Sequence, residues 1–267
     1  MSQIQSPIRV LGIPAHSSLV VKWLDWFTPP LQPFPTESLS ASLTEDLPER
    51  TVEPSPEHRD TFFLYSGSWR WLYEHEFKSL PRRAQLTLMS ARSRATSPKP
   101  PVPWPSAADG ESLPQLVTWI EKGCYPSRHE EVGDSTWELC ARYLPQVRRM
   151  AGTFIERGSG PNCFGTVMAA AGVVGAEERW VQTDEFSSWL CSHTGSVRGR
   201  SRDEDPGTVL LWTERGVVAH AAITIGGGWA LSKPSQSWSS PRLVWSVRDT
   251  ILRWRLPRTK LSRHVLQ

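Results

Sequence analysis

Prolines partition this chain before any other feature is considered. A proline lacks a backbone N–H and its ring clashes with the preceding turn, so helix interiors and central strands exclude it. Of the 23 prolines in 267 residues, most lie before residue 106, so the first part of the chain can hold only short elements. VVKWLDWF (20–27) reads as a short helix that TPPLQPFPTE terminates. The Pro-, Ser-, Thr- and Glu-rich stretch through Pro56 reads as irregular. From Thr61 to about Arg94, Phe62, Phe63, Trp69, Trp71, Leu72, Phe77 and Leu80 supply the apolar content of helices, interrupted at Pro81. SPKPPVPWPS (97–106) reads as a stiff polyproline connector, with a PxxP-type ligand as the alternative. SLPQLVTWIEKG (112–123) has Ser112 at the cap position and Gly123 at the stop. DSTWELCARYLPQVRRMAGTF (134–154) places Trp137, Cys140, Tyr143, Leu144, Val147 and Met150 at helical spacing, with Pro145 splitting the helix. No internal repeat is present.

Several function classes find no support. Thirty basic and 27 acidic residues leave a net charge of +3, too little for an electrostatic case for nucleic acid. The one basic stretch, RWRLPRTKLSRH (253–264), reads as a solvated tail. No run approaches 18 apolar residues, so no membrane partner is expected. The N-terminus lacks a charged stretch followed by a clean apolar run, so a reducing, cytoplasmic compartment is expected. Cys124, Cys140, Cys163 and Cys191 show no CxxC pairing, which argues against zinc and against a disulfide framework. No cofactor is called for. The 14 tryptophans are expected mainly in cores.

After Phe154 the pattern changes to a Gly-rich loop, an apolar helix and then strands. In GSGPNCFGTVMAAAGVVG (158–175), Asn162 is a good N-cap, and Phe164, Val167, Met168 and Ala171 form one stripe. Cys163 then falls in the first turn. There the unpaired N–H groups and the helix dipole favour a thiolate, the nucleophilic form. A nucleophilic cysteine needs a base. Among seven histidines, His220 alone sits inside an apolar β segment, VVAHAAITI. Alternation puts Val218, His220, Ala222 and Thr224 on one face and Ala219, Ala221, Ile223 and Ile225 on the core face. GTVLLWTE (207–214) is strand-length. Residues 215–234 read as a hairpin around Gly226, Gly227 and Gly228, and LVWSVRDTILRW (243–254) as a strand leading into a short helix. In DEFSSWLCSH (184–193), Cys191 and His193 stand two apart and cannot face each other on a helix. Trp180, Phe186, Trp189 and Leu190 there read as core, and Asp184 and Glu185 as a solvated helix start.

Three blocks together resemble the NlpC/P60 branch of the papain-like cysteine peptidases. Asn162-Cys163-Phe164-Gly165 stands where that family has D-C-S-G. Pro206-Gly207-Thr208-Val209-Leu210-Leu211-Trp212 is similar to its P-G-D-L-V-F-F strand. His220-Ala221-Ala222-Ile223-Thr224-Ile225-Gly226-Gly227-Gly228 is similar to its H-V-G-I-Y-x-G-x-G strand. The resemblance covers about residues 155–250. It implies an α+β fold with a papain-like helix packed on an antiparallel sheet. It also implies a third polar residue, about twelve positions after the histidine, that orients the ring. Here that position is Ser232, followed by Lys233; Gln236 is the substitute candidate. Serine cannot stabilise imidazolium as a carboxylate does.

The expected organisation is an irregular segment (1–60), a helical region with its Pro-rich linker (61–154), a Cys/His domain (155–254) and a basic tail (255–267). The expected function is a cysteine hydrolase of the peptidase or amidase class. Cys163 would attack an amide or ester carbonyl of a peptide or other acyl substrate, and His220 would serve as base. The alternative is a catalytically impaired scaffold that binds a protein partner through the N-terminal helical and Pro-rich region.

Overall fold

A computed structural model describes residues 8–37, 39–96, 98–107 and 112–267. The chain divides into two compact units between Tyr125 and Pro126. Both mix helices with antiparallel sheets. Among the described residues, no helix is long and apolar enough to cross a membrane.

The first unit runs β1 (Ile8–Val10), β2 (Ile13–Ala15), α1 (Ser17–Phe27), β3 (Leu31–Pro35), α2 (Ala41–Glu45), α3 (Pro56–Phe62), β4 (Trp69–Tyr73), α4 (Glu74–Ser79), α5 (Arg82–Thr96) and α6 (Ser112–Glu121). The described residues between 8 and 60 therefore carry strands and helices where an irregular segment is expected. LQPFP is a strand despite two prolines, paired antiparallel with WRWLY, a stretch whose sequence pattern predicts a helix. Among the described residues the sheet has only these two strands, so β3 keeps a free edge there, where a missing N–H disrupts no ladder. Phe34 stacks on Phe77, with centroids 5.4 Å apart. Leu47, Leu72, Leu88 and Trp104 complete this core. The expected connector is no linker, because Val102 and Trp104 are buried; Ser97 lies outside the described residues.

The second unit begins with α7 (Asp134–Ala141) and α8 (Val147–Met150), separated at Pro145 as expected, then α9 (Cys163–Ala170) and α10 (Thr183–His193). Residues 126–154 thus belong with the Cys/His unit, not with the helical region before it. The strands are β5 (Thr194–Val197), β6 (Pro206–Glu214), β7 (Val217–Gly226), β8 (Trp229–Ser232), β9 (Leu243–Ser246) and β10 (Thr259–Leu266), with α11 (Val247–Arg253) before the last. They form one antiparallel sheet in the order β5-β10-β6-β7-β8-β9. The expected basic tail is β10, an interior strand. Its alternation hides Arg263, which makes a two-pronged pair with buried Asp203 (Nε to Oδ1 2.6 Å, Nη2 to Oδ2 2.9 Å).

The two faces of this sheet carry different cores. Val209, Leu211, Ala221, Ile223, Ile225, Leu231 and Val244 pack with α9 and its neighbouring helices. Leu210, Trp212, Ala222 and Ala230 pack on the other face, with Val247, Ile251 and Trp254. Every residue of α9 is buried. A helix of eight residues is too short to stand alone in water, so packing on all sides holds it. Tyr143 and Trp180, expected in the core, are instead exposed.

Candidate functional site

Asn162 caps α9 as the sequence requires. Its backbone is extended, its Oδ1 accepts from Gly165 N (3.0 Å), and its Nδ2 donates to the Val181 carbonyl (2.8 Å). At the far end, Gly172 N bonds Ala169 O (2.9 Å) and Val173 N bonds Met168 O (3.0 Å), with Gly172 at φ +97°. This is a Schellman stop, which needs a residue that tolerates positive φ. Gly165, the glycine of the N-C-F-G block, serves contact rather than flexibility. A Cβ there would sit 2.2 Å from the Ala176 carbonyl oxygen. That oxygen is backbone and cannot swing aside, so Gly165→Ala is expected to cost at least about 2 kcal/mol through overpacking. Comparing urea midpoints of the variant and the parent chain measures this.

Cys163 is the first residue of α9, as expected, but the chemistry there differs. The residue is 9% exposed and belongs to the core between α9 and the sheet. Burial pushes its thiol up to about 11. The amides of Ala221, Phe164 and Cys163 itself, together with the Lys233 charge, pull the other way without prevailing. Loss of hydration outweighs the helix terminus.

His220 lies on the opposite face of β7. Ala221 faces α9, while His220 shares its face with its register partner Trp212 and with Ala222. Its ring stacks on Trp254 (centroids 3.6 Å, planes 14° apart) and tilts against Trp212 at 5.4 Å. It is 1% exposed, and burial lowers its pKa to about 3. Its Nε2 meets Ser232 Oγ at 3.1 Å. The structure thus brings His220 and Ser232 together across the β7–β8 pair and does not bring Cys163 to either. The expected Cys163–His220 pair is corrected on this ground. Strand alternation turns consecutive side chains to opposite faces, and the helix that carries the thiol occupies the face His220 avoids.

A bulge sharpens the geometry. Trp212 pairs His220, yet Thr213 pairs Val218, so Ala219 is the extra residue. Val218 therefore packs against the α9-side core, not on the His220 face as simple alternation would place it.

Lys233 has a structural role that its sequence position does not announce. It is 0% exposed, and its Nζ donates to the carbonyls of Ser235 (2.6 Å), Ser237 (3.3 Å) and Ser240 (2.7 Å). Its partners are backbone carbonyls, so the sequence offers no side-chain signal for them. Ser232 is the residue that meets His220; the backbone carbonyl of Gln236 accepts from Gly160 N (3.0 Å). With Trp238 N on Ser159 Oγ (3.1 Å), this ties the Gly-rich loop to the lysine loop. Cys140 is buried and its thiol is pushed up to about 12, while Cys191 is exposed. His193 stacks on Trp189 and reaches its carbonyl, not Cys191. No group of three or more His, Cys, Asp or Glu among the described residues could hold a metal ion.

No family model, no curated protein and no solved structure matches this chain.

Proposed function

We propose that residues 126–267 are a papain-like scaffold of the NlpC/P60 kind that has lost its Cys/His chemistry and works as a protein-interaction module. One observation carries this reading: the imidazole lies beneath Trp254, bonded to Ser232, on the sheet face away from the thiol. A neutral histidine with a pKa near 3 is too weak a base to take a thiol proton at neutral pH. The family likeness is supported by a capped Cys-first helix on an antiparallel sheet, and by a histidine that meets the residue twelve positions later. The exposed apolar residues Val174 and Trp180, on the loop between α9 and α10, offer contact to a partner.

Native-state alkylation with iodoacetamide, read by peptide mass spectrometry, tests the reading. Cys191 is expected to label first. Cys163 and Cys140 are expected to label at least about 100-fold more slowly, because a pKa near 11 leaves only about one thiolate in ten thousand at pH 7. Fastest labelling at Cys163, slowed by His220→Ala, would return the chain to the thiol hydrolases.

A further inference from the structure

On its α11 side, the sheet of the second unit carries exposed charge and exposed apolar surface together. Arg215, Arg248, Arg253, Arg255 and Arg258 are exposed on the β6–β7 turn, on α11 and on the loop into β10. The carboxylates of the same segments, 214–217 and 247–258, are Glu214 and Asp249. Five arginines against two carboxylates give these segments +3, as much as all 267 residues together. Among the described residues, Arg215, Arg248, Arg255 and Arg258 form no ion pair. Asp249 is already met by Ser246 Oγ (2.7 Å) and by Arg128 (3.9 Å).

Three apolar side chains stand among these cations. Val217, Leu252 and Leu256 are 62%, 52% and 53% exposed. Hydrogen bonds hold their segments together. Leu256 N donates to Trp254 O (2.9 Å), and Thr259 Oγ1 donates to Leu256 O (2.7 Å). Thr259 in turn pairs with Glu214, and Glu214 pairs with Val217. Val218 packs on the α9 side, so its neighbour Val217 faces the α11 side. Arg248 and Leu252, four apart on α11, share one helix face. Arg215 (φ +51°) and Arg258 (φ +69°) stand in the left-handed region that glycine takes without steric cost. Arginine at both turns supplies charge where a bare turn would serve the fold.

From these we infer that this side of the second unit docks on an anionic lipid bilayer. The guanidiniums would meet lipid phosphates and carboxylates, and Val217, Leu252 and Leu256 would enter the boundary between headgroups and acyl chains. A nucleic acid would answer the charge but leave the three aliphatic side chains without a partner. The one aromatic ring of these segments, Trp254, is already stacked on His220 and is not free to stack on a base. A bilayer surface is met without an apolar span, so the lack of one in the sequence does not bear on this docking. The surface lies on the sheet side opposite α9 and its loop, so lipid docking stands or falls independently of the scaffold reading.

Sedimentation of the full chain with lipid vesicles tests it. Vesicles of phosphatidylcholine with about one-third phosphatidylserine are expected to bind the chain at least about tenfold more tightly than pure phosphatidylcholine vesicles. High salt is expected to release it. Arg255→Gln combined with Arg258→Gln is expected to weaken binding to the anionic vesicles at least about tenfold. Leu252→Ser combined with Leu256→Ser keeps every charge and is expected to weaken it about tenfold as well. All four side chains are exposed, so urea midpoints are expected to stay those of the parent chain. Equal binding to the two kinds of vesicle, anionic-vesicle binding unchanged by the leucine pair, or tighter binding of a single-stranded oligonucleotide than of the anionic vesicles overturns the inference.

Discussion

Phe186→Ala is expected to lower the stability of the second unit by about 3–5 kcal/mol, the range for emptying a fully buried aromatic site. Phe186 is buried on α10, stacks on Phe164 of α9 with centroids 4.5 Å apart, and tilts against Trp189 at 5.7 Å. Removing the ring deletes the surface against which the buried helix leans. Because the chain has two units, one melting temperature does not report this cleanly. Amide exchange of the α9 backbone isolates it. Protection there is expected to drop by two orders of magnitude or more, while α5 amides in the first unit keep theirs. A change below about 1 kcal/mol would mean that α9 draws its support from elsewhere.

Acid is expected to destabilise the second unit through His220. Its folded pKa of about 3 lies below the unfolded value of about 6.5. The unfolded chain takes up a proton that the folded chain refuses, so stability rises with pH across this window. The contribution is intact above about pH 6.5 and is lost progressively as pH falls toward 3. The full loss approaches 4–5 kcal/mol as an upper estimate, with a slope near 1.4 kcal/mol per pH unit. Burial also lowers His58 and His264, so the raw profile contains their parts. Subtracting the profile of His220→Gln, which keeps a hydrogen-bonding partner for Ser232 and cannot ionise, isolates the His220 part. Parallel profiles for the two proteins would place the imidazole in contact with water.

The local signals of this chain were legible. Asn162 capping the Cys163 helix, the split at Pro145 and the triple-glycine hairpin all follow from short-range chemistry. What failed depended on partners distant in sequence. WRWLY became a strand because LQPFP lies beside it, and the basic C-terminal residues became one because a slot exists between β5 and β6. In the candidate site, the order of Cys163 and His220 along the chain suggests a pair that strand geometry denies. The alternation that turned Ala221 and Ile223 toward the core already implied the conflict, since an all-apolar α9 had to fill that same core. His220 was thereby turned away from the thiol it was meant to serve. Lys233 is illegible in the sequence because three backbone carbonyls, which no side-chain pattern encodes, hold it.

The position of β10 bears on how the chain can be made. During synthesis β5 emerges well before β10, and β6 to β9 can zip up by local hairpins. Until β10 arrives, however, two facing strand margins stand open with their amides and carbonyls unmatched. A nascent chain stalled near residue 258 would present a vacant lane to any extended peptide nearby. A chaperone that shields this lane, or a neighbouring chain that fills it, would decide between productive closure and strand-swapped assemblies.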